Sequence, residues 1–367
     1  MSVEQCKDAT GSAIRNGGKA TTSGVDYDMQ IPYFWRMKHI SILVPETAIM
    51  EAIADPRYMF TAANEFLKAA GQEPLFDVQL VGHKKAVKLM NGLVTVHPDK
   101  TLDEVKKTDL IFIPAISGDL RTALELNKKY VPWIIDQHKK GSEVASLCIG
   151  AFLLASTGLL NGKKCSTHWL SADDFREMFP EVELVDGSII SEENGIYSSG
   201  GANSYWTLLL YLLEKYTSRE TAILASKFFA VDIDRDSQSK YMMFKGQRNH
   251  KDEAVKKVQD HIEKNIEEKM TIDELAAIVS LGRRSFERRF KEATNNSVLE
   301  YIQRVKIEAA KRSLETSRKN VSEVMYDVGY TDTKAFRDLF RKITGLSPVE
   351  YRNKYNKIAL EPTEELI

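Results

Sequence analysis

The stretch EVASLCIGAFLLASTGLLNG, residues 143 to 162, sets a cysteine, Cys148, at the end of an apolar run where a helical pattern takes over. A strand that runs into a sharp turn with a nucleophile at its apex is a nucleophile elbow, and N–H groups at the start of the following helix lower a thiol pKa there. The chemistry would be nucleophilic attack or capture of an electrophile. A buried, inert thiol fits the same residues. The other cysteines, Cys6 and Cys165, add neither a disulfide framework nor zinc-ligand spacing. A reducing compartment follows from that usage.

A second set of residues suits a polyanion. Residues 281 to 357 hold 18 Lys and Arg against 10 Asp and Glu, a net +8, whereas the other 290 residues carry −9. Clustered cations of this kind bind phosphate or form a solvated basic face. An internal repeat sharpens the choice. FERRFKEATNNSVLEY (286 to 301) and FRDLFRKITGLSPVEY (336 to 351) share Phe, Phe, Thr, Ser, Glu and Tyr at an offset of 50. IDELAAIVSL (272 to 281) aligns with VSEVMYDVGY (321 to 330) at an offset of 49. Each copy reads as helix, tight turn, helix and short loop, the helix-turn-helix pattern, and the copies are joined by a helical stretch over 297 to 317. Around the helix RRSFERRFKEAT, Phe286, Phe290 and Ala293 fall on one face and Arg284, Arg288 and Lys291 on the other. In TKAFRDLFRKIT, Phe336, Phe340 and Ile343 supply the packed face, leaving Lys334, Arg337, Asp338 and Arg341 outward. An arginine fork can engage O6 and N7 of guanine. Two units joined by one helix suit successive major-groove segments of double-stranded DNA.

The elements that position Cys148 alternate in type. HISILV (39 to 44), FDVQLVG (76 to 82), LVTVH (93 to 97), DLIFIP (109 to 114) and EVASL (143 to 147) read as strands. Helices are expected from about Pro56 to Ala70, from Arg121 to Lys140, from about Ile149, and from Ala202 to Lys215, with two further strands at VELVD and IYSS. The predicted fold class is α/β, a flavodoxin-like parallel sheet covered on both faces, followed by an all-α domain with two helix-turn-helix units.

The expected boundaries are a disordered Gly/Ser/Thr-rich leader over 1 to 36, a sensing domain over 37 to 230, a polar linker over 231 to 252, the helical domain over 253 to 356 and a tail over 357 to 367. Met37 reads as a possible alternative start. The leader lacks the apolar core of a secretory signal, and no window approaches the ~20 apolar residues of a membrane span.

Residues 253 to 356 resemble the DNA-binding domain of the AraC/XylS family of bacterial transcription regulators, through MTIDELAAIVSLGRRSFERRFKEATNNSVLEYIQRVKIEAAKRSLE and VSEVMYDVGYTDTKAFRDLFRKITGLSPVEYR. The resemblance implies base-reading positions at Arg284, Glu287 and Arg288, and at Thr333, Lys334, Arg337 and Asp338. Asp338 stands where many members carry a basic residue; it would read a cytosine amino group or orient Arg337 or Arg341. Residues 38 to about 217 resemble the ThiJ/PfpI, or class I glutamine-amidotransferase-like, superfamily, most closely in SLCIGAFLLASTGLLNGKKCSTHW. The combination is the GlxA-like regulator architecture. By that similarity Glu51 takes the position of the carboxyl that hydrogen-bonds the elbow thiol, and His168 that of a nearby histidine.

Two departures weigh against catalysis. The protease-like members follow the elbow cysteine with histidine, where this chain has Ile149, and enzymatic relatives often carry Gly-Gly where Ala115-Ile116 stand. The implied domain is a degenerate enzyme kept as a ligand pocket bordered by Glu51, Cys148, Ile149 and His168, with no catalytic residue, metal or cofactor. The resemblance further implies a small-molecule effector, RNA polymerase and a second copy of the chain as partners, no membrane, and a bacterial cytoplasmic protein associated with the nucleoid when bound. A hydratase or glyoxalase-like enzyme using Cys148, and a thiol redox sensor, are the alternatives.

Overall fold

The computed structural model describes residues 37 to 185, 187 to 232, 243 to 244, 246 to 248 and 250 to 356. The expected leader, Cys6, most of the polar linker and the tail lie outside the described residues.

The first part of the chain alternates strands and helices: β1 (Lys38–Leu43), α1 (Glu51–Ala69), β2 (Phe76–Gly82), β3 (Val87–Leu89), β4 (Val94–Val96), β5 (Lys100–Thr101), β6 (Leu110–Ile113), α2 (Leu120–Leu126), α3 (Tyr130–Lys139), β7 (Glu143–Leu147), α4 (Ala151–Ala155), β8 (Lys164–Cys165), α5 (Ala172–Met178), β9 (Glu183–Leu184), β10 (Ile190–Glu193), β11 (Ile196–Ser199), α6 (Tyr205–Tyr216) and α7 (Arg219–Phe229). Seven strands form one sheet in the order β10-β11-β7-β6-β1-β2-β5. All its pairings are parallel except β10 with β11. The central strand β6, LIFI, is buried along its whole length, as a strand covered on both faces must be. One face packs on α1 and α6 through Ile42, Phe60, Phe112 and Leu209; the other packs on α3 and α4 through Ile111, Ile134, Val144 and Phe152. The flavodoxin-like sheet read from the sequence is therefore present.

Three local readings differ. The helix expected over Arg121 to Lys140 is two helices, α2 and α3. Between them Asn127 is fully buried and works as a splice: its amide donates to Ala123 O at 2.9 Å and its Oδ1 accepts from Glu46 N at 2.9 Å. The segment LVTVH does not join the main sheet; β4 pairs antiparallel with β3 in a separate hairpin. Helix α1 begins at Glu51, five residues before Pro56, which is buried within the helix.

The second part is helical: α8 (Glu253–Lys264), α9 (Ile272–Ile278), α10 (Arg283–Thr294), α11 (Val298–Thr316), α12 (Val321–Asp327), α13 (Thr333–Thr344) and α14 (Pro348–Tyr355). The repeat appears in the capping chemistry. Thr271 with Glu274 and Asn320 with Glu323 form capping boxes opening α9 and α12, and Ser297 with Glu300 and Ser347 with Glu350 do so for α11 and α14. Each copy has its own core. Phe286, Phe290 and Tyr301 centre the first, Phe336, Phe340 and Tyr351 the second, and the edge-on pairs Phe290–Tyr301 and Phe340–Tyr351 have ring centroids 5.2 and 5.4 Å apart.

Candidate functional site

The duplicated units present two helices to solvent. In α10 burial of Phe286 and Phe290 forces Arg284 and Arg288 outward, and both are exposed; Glu287 is half-buried. Arg288 Nη1 lies 3.1 Å from Glu292 Oε1, and Arg283 Nε lies 3.5 Å from Glu287 Oε1. These contacts hold the side chains along the helix but, exposed as they are, contribute little stability. Arg289 does not face outward. It makes a bidentate pair with Asp252, both contacts 2.8 Å, tying α10 to the start of α8. In α13 Thr333, Lys334, Arg337 and Asp338 are all exposed. Among the described residues Asp338 makes no ion pair with Arg337 or Arg341. Asp332 caps the helix, its Oδ1 accepting from the amides of Lys334 and Ala335 at 2.8 and 3.0 Å.

The elbow is present in the first part. Cys148 follows β7 directly and has φ 55°, a left-handed conformation that costs a non-glycine residue about 1–3 kcal/mol. The turn is tight because α4 starts against the end of β6. A Cβ on Gly150 would stand 2.6 Å from both Ile113 O and Pro114 O. The apex is tied down by neighbours: Cys148 N donates to Ser199 Oγ at 3.4 Å, and Thr167 Oγ1 donates to Cys148 O at 3.2 Å.

The elbow thiol is buried. Cys148 is 3 % exposed, and burial pushes its pKa up to about 12 although the Ile149 N–H donates to it and pulls the other way. Burial does the same to Cys165, also to about 12. Glu51 opens α1 at the surface, and among the described residues its carboxylate makes no hydrogen bond to Cys148 or to any other group. The expected carboxyl–thiol contact is thus not formed. The carboxyl turned inward is Asp55, one helical turn later, which accepts from the buried Tyr205 hydroxyl at 2.6 Å. Burial raises the Asp55 pKa against the opposing pull of its donors, Tyr205 and Trp206.

His168 has a local task. Its Nδ1 accepts from Leu170 N at 3.1 Å, capping the turn at Trp169–Ser171, and burial lowers its pKa. With Nδ1 used as an acceptor, the neutral ring carries its proton on Nε2.

Beside the elbow a cleft of about 600 Å³ is lined by Ile49, Ile116, Ile149, Met178, Asp119 and Arg121, among others. Arg121 on α2 reaches Glu177 on α5 at 3.3 Å beside it. Of the four residues read as bordering a pocket, Ile149 lines this cleft, Cys148 lies buried under the turn, His168 caps the turn that delivers the lining residue Ser171, and Glu51 stands at the surface. The loops after β1 and β6 are zipped together: Ile49 N donates to Ala115 O and Ser117 N to Thr47 O, each at 2.8 Å. The Ser117 amide is therefore spent within the protein. Asp55, Tyr205, Ser199 and the cleft residues of α2 and α5 carry no spacing signal that sequence reading could use, because distant segments bring them together.

The chain resembles known proteins in both parts. Residues 42 to 215 match the model of the DJ-1/PfpI family, and residues 275 to 354 match that of a helix-turn-helix domain. The HTH-type transcriptional regulator GbdR of Pseudomonas aeruginosa is 25% identical over 258 residues, 70% of this chain and 69% of that protein. CdhR, an HTH-type transcriptional regulator of the same organism, is 25% identical over 263 residues, 71% of this chain and 77% of its own length. The HTH-type transcriptional regulator GlxA of Rhizobium meliloti is 22% identical over 217 residues, 58% of this chain and 66% of that one. No helix among the described residues is long and apolar enough to cross a membrane.

Proposed function

Because this chain is a helix-turn-helix transcription regulator of the AraC type carrying a DJ-1/PfpI domain, we propose that it reads a specific operator with α10 and α13 in two successive major-groove segments, under control of a small molecule bound by the first domain. The observation that carries this reading is the pair of exposed helices with equivalent packed faces, each presenting cations outward: Arg284 and Arg288 on one, Lys334 and Arg337 on the other. Glu287, Thr333 and Asp338 complete the base-facing positions. Asp338 accepts from a cytosine amino group, since it is not engaged with Arg337 or Arg341.

The effector occupies the cleft beside the elbow, where apolar side chains and the Arg121–Glu177 pair offer both shape and charge. Ile149 lines it directly, Cys148 precedes Ile149 in the elbow, His168 acts through the turn that carries the lining residue Ser171, and Glu51 contributes from the nearby surface at the start of α1. Ligand binding changes DNA affinity through a coupling free energy of about 1–3 kcal/mol between two arrangements of the protein. The working protein is a cytoplasmic homodimer that contacts RNA polymerase at its promoters, and its first domain performs no catalysis.

One observation favours a second reading, a thiol enzyme: the left-handed turn at Cys148 is the conformation of a working nucleophile elbow. The high pKa of the thiol and the absence of an imidazole at Ile149 speak for the regulator. Genome-wide crosslinking of wild type and Cys148→Ser separates them. Discrete sites in both support a regulator whose cysteine is packing, and sites altered in the mutant make the elbow part of the sensor. Absence of discrete sites, with turnover lost in Cys148→Ser, would establish the enzyme.

A further inference from the structure

The two helix-turn-helix units have separate hydrophobic cores, and α11 passes through both. Its residues up to Val305 belong to the first core, and those from Ile307 to the second. Apolar packing therefore shapes each unit internally. The continuous helix α11 relates the two units, and polar contacts between them add to what holds their angle.

At the crossing point stands a charge, Lys306, whose side chain is buried. Its Nζ donates to Glu268 O at 3.0 Å and to Val328 O at 3.1 Å. The first carbonyl belongs to the loop that leads into α9 of the first unit, the second to the end of α12 in the second. The ammonium also lies 5.7 Å from the centre of the Tyr330 ring. A single side chain of the connecting helix thus bonds both units at once.

The turn of the second unit is shaped to admit this arrangement. Gly329 has φ 73°, and a Cβ there would collide with the Glu267 carbonyl oxygen and stand 2.8 Å from Lys306 Nζ. The equivalent position in the first unit is Ser280, which takes the same left-handed conformation at φ 53°. Both turns close with the same backbone hydrogen bonds, Ser280 N to Ala277 O and Gly329 N to Tyr326 O. The backbone conformation alone tolerates serine. What demands glycine in the second unit is the approach of the first.

A buried ammonium with carbonyl partners adds little net stability over a well-packed apolar side chain, but it penalises any arrangement in which those partners separate. Duplex DNA is sensitive to such an angle, since each base pair advances the groove by about 3.4 Å and turns it by about 34°.

We propose that Lys306 is a positioning residue for DNA recognition: held by carbonyls of both units and admitted by Gly329, it sets the angle between α10 and α13 and so the spacing at which both helices engage one duplex. This rests on the two-helix reading of DNA given above. It requires no contact between Lys306 and DNA.

Two measurements on the full chain test it. The first uses duplexes selected from random sequence by the wild-type protein, re-made with one or two base pairs inserted or deleted between the two half-sites. Wild type should lose at least about tenfold in affinity per unit change of spacing, the scale of one misread base pair, and Lys306→Met should flatten that loss to under about threefold. Binding to a duplex carrying one half-site should be unchanged, and Lys306→Arg, which keeps a donor, should restore part of the discrimination. A folded Lys306→Met protein with the wild-type spacing profile overturns the proposal.

The second measurement needs no DNA. Spin labels at the equivalent exposed positions Ser285 and Ala335, with Cys6 replaced by serine, report the distance between α10 and α13. One narrow distribution in wild type that broadens in Lys306→Met and shifts in Gly329→Ala supports the staple; identical distributions in all three overturn it. If wild type selects no duplex while Lys306→Met still broadens the distribution, the DNA reading has failed and the staple has not.

Discussion

The Tyr205 hydroxyl donates to Asp55 Oδ2 at 2.6 Å, joining the first turn of α6 to α1 across the core face that also holds Cys148. Tyr205 is 4 % exposed, so its hydroxyl cannot exchange this partner freely for water. Tyr205→Phe should destabilise the protein by about 1.5–3 kcal/mol, the usual worth of a hydrogen bond to an ionised group. Asp55→Asn keeps an acceptor for the tyrosine and removes a carboxyl that burial disfavours, so it should cost less. Urea unfolding of the two variants checks the ranking, and an Asp55→Asn protein weaker than Tyr205→Phe would refute it.

The buried thiols give a signature in alkali. Cys148 and Cys165 are both held up to about 12, against an ordinary thiol near 9.0. A group whose pKa is higher in the folded state contributes stability fully below the unfolded value and loses it as pH rises toward the folded one. Stability should therefore fall above pH 9.0 with a share of about 1.4 kcal/mol per pH unit for each thiol. Unfolding midpoints from pH 8 to 11 in wild type and Cys148→Ala should show a shallower slope in the variant (on the order of one proton fewer). At pH 7.5, mass-spectrometric mapping of alkylation should find Cys148 and Cys165 protected in the native protein and modified after unfolding.

Gly150 admits the elbow. Gly150→Ala places a methyl group against two carbonyl oxygens of the β6 end, backbone atoms that cannot swing aside. A loss of about 1–3 kcal/mol is expected from overpacking alone. Thermal unfolding should show it, and a neutral substitution would mean that the turn can relax.

At the other end of the chain, Arg288→Ala should weaken operator binding by about 1–3 kcal/mol, the value of a bidentate base contact. Loss of affinity for specific and non-specific duplexes by the same factor would make Arg288 a phosphate contact instead. Its neighbour Arg289, spent on Asp252, should behave differently: Arg289→Ala should lower the stability of the helical part more than it changes specificity.

Much of this protein is legible in its sequence. Strands alternating with helices determine a parallel sheet because apolar runs of strand length need cover on both faces. The offsets of 49 and 50 residues determine two like units because the same Phe, Tyr and capping residues must meet the same packing and hydrogen-bonding demands twice. Even the one-residue difference between those offsets has a structural meaning, since the turn before α13 is one residue longer than the turn before α10. The outward placement of Arg284, Arg288, Lys334 and Arg337 follows from the helical period once the phenylalanines are inside.

The tertiary structure decided what periodicity cannot express. Cys148 could be an exposed thiolate or a buried thiol on the same sequence, and the choice came from how closely β6, β11 and the segment at Thr167 crowd the elbow. Asp55 rather than Glu51 became the inward carboxyl because α6 brings Tyr205 to it from 150 residues away. Lys306 lies on a helix whose pattern suggests one more solvated cation, yet two loops close over it and offer their carbonyls. In each case the physical cause is a contact between segments distant in sequence, where burial and hydrogen-bond partners, and with them charge and reactivity, are set by neighbours that no local pattern names.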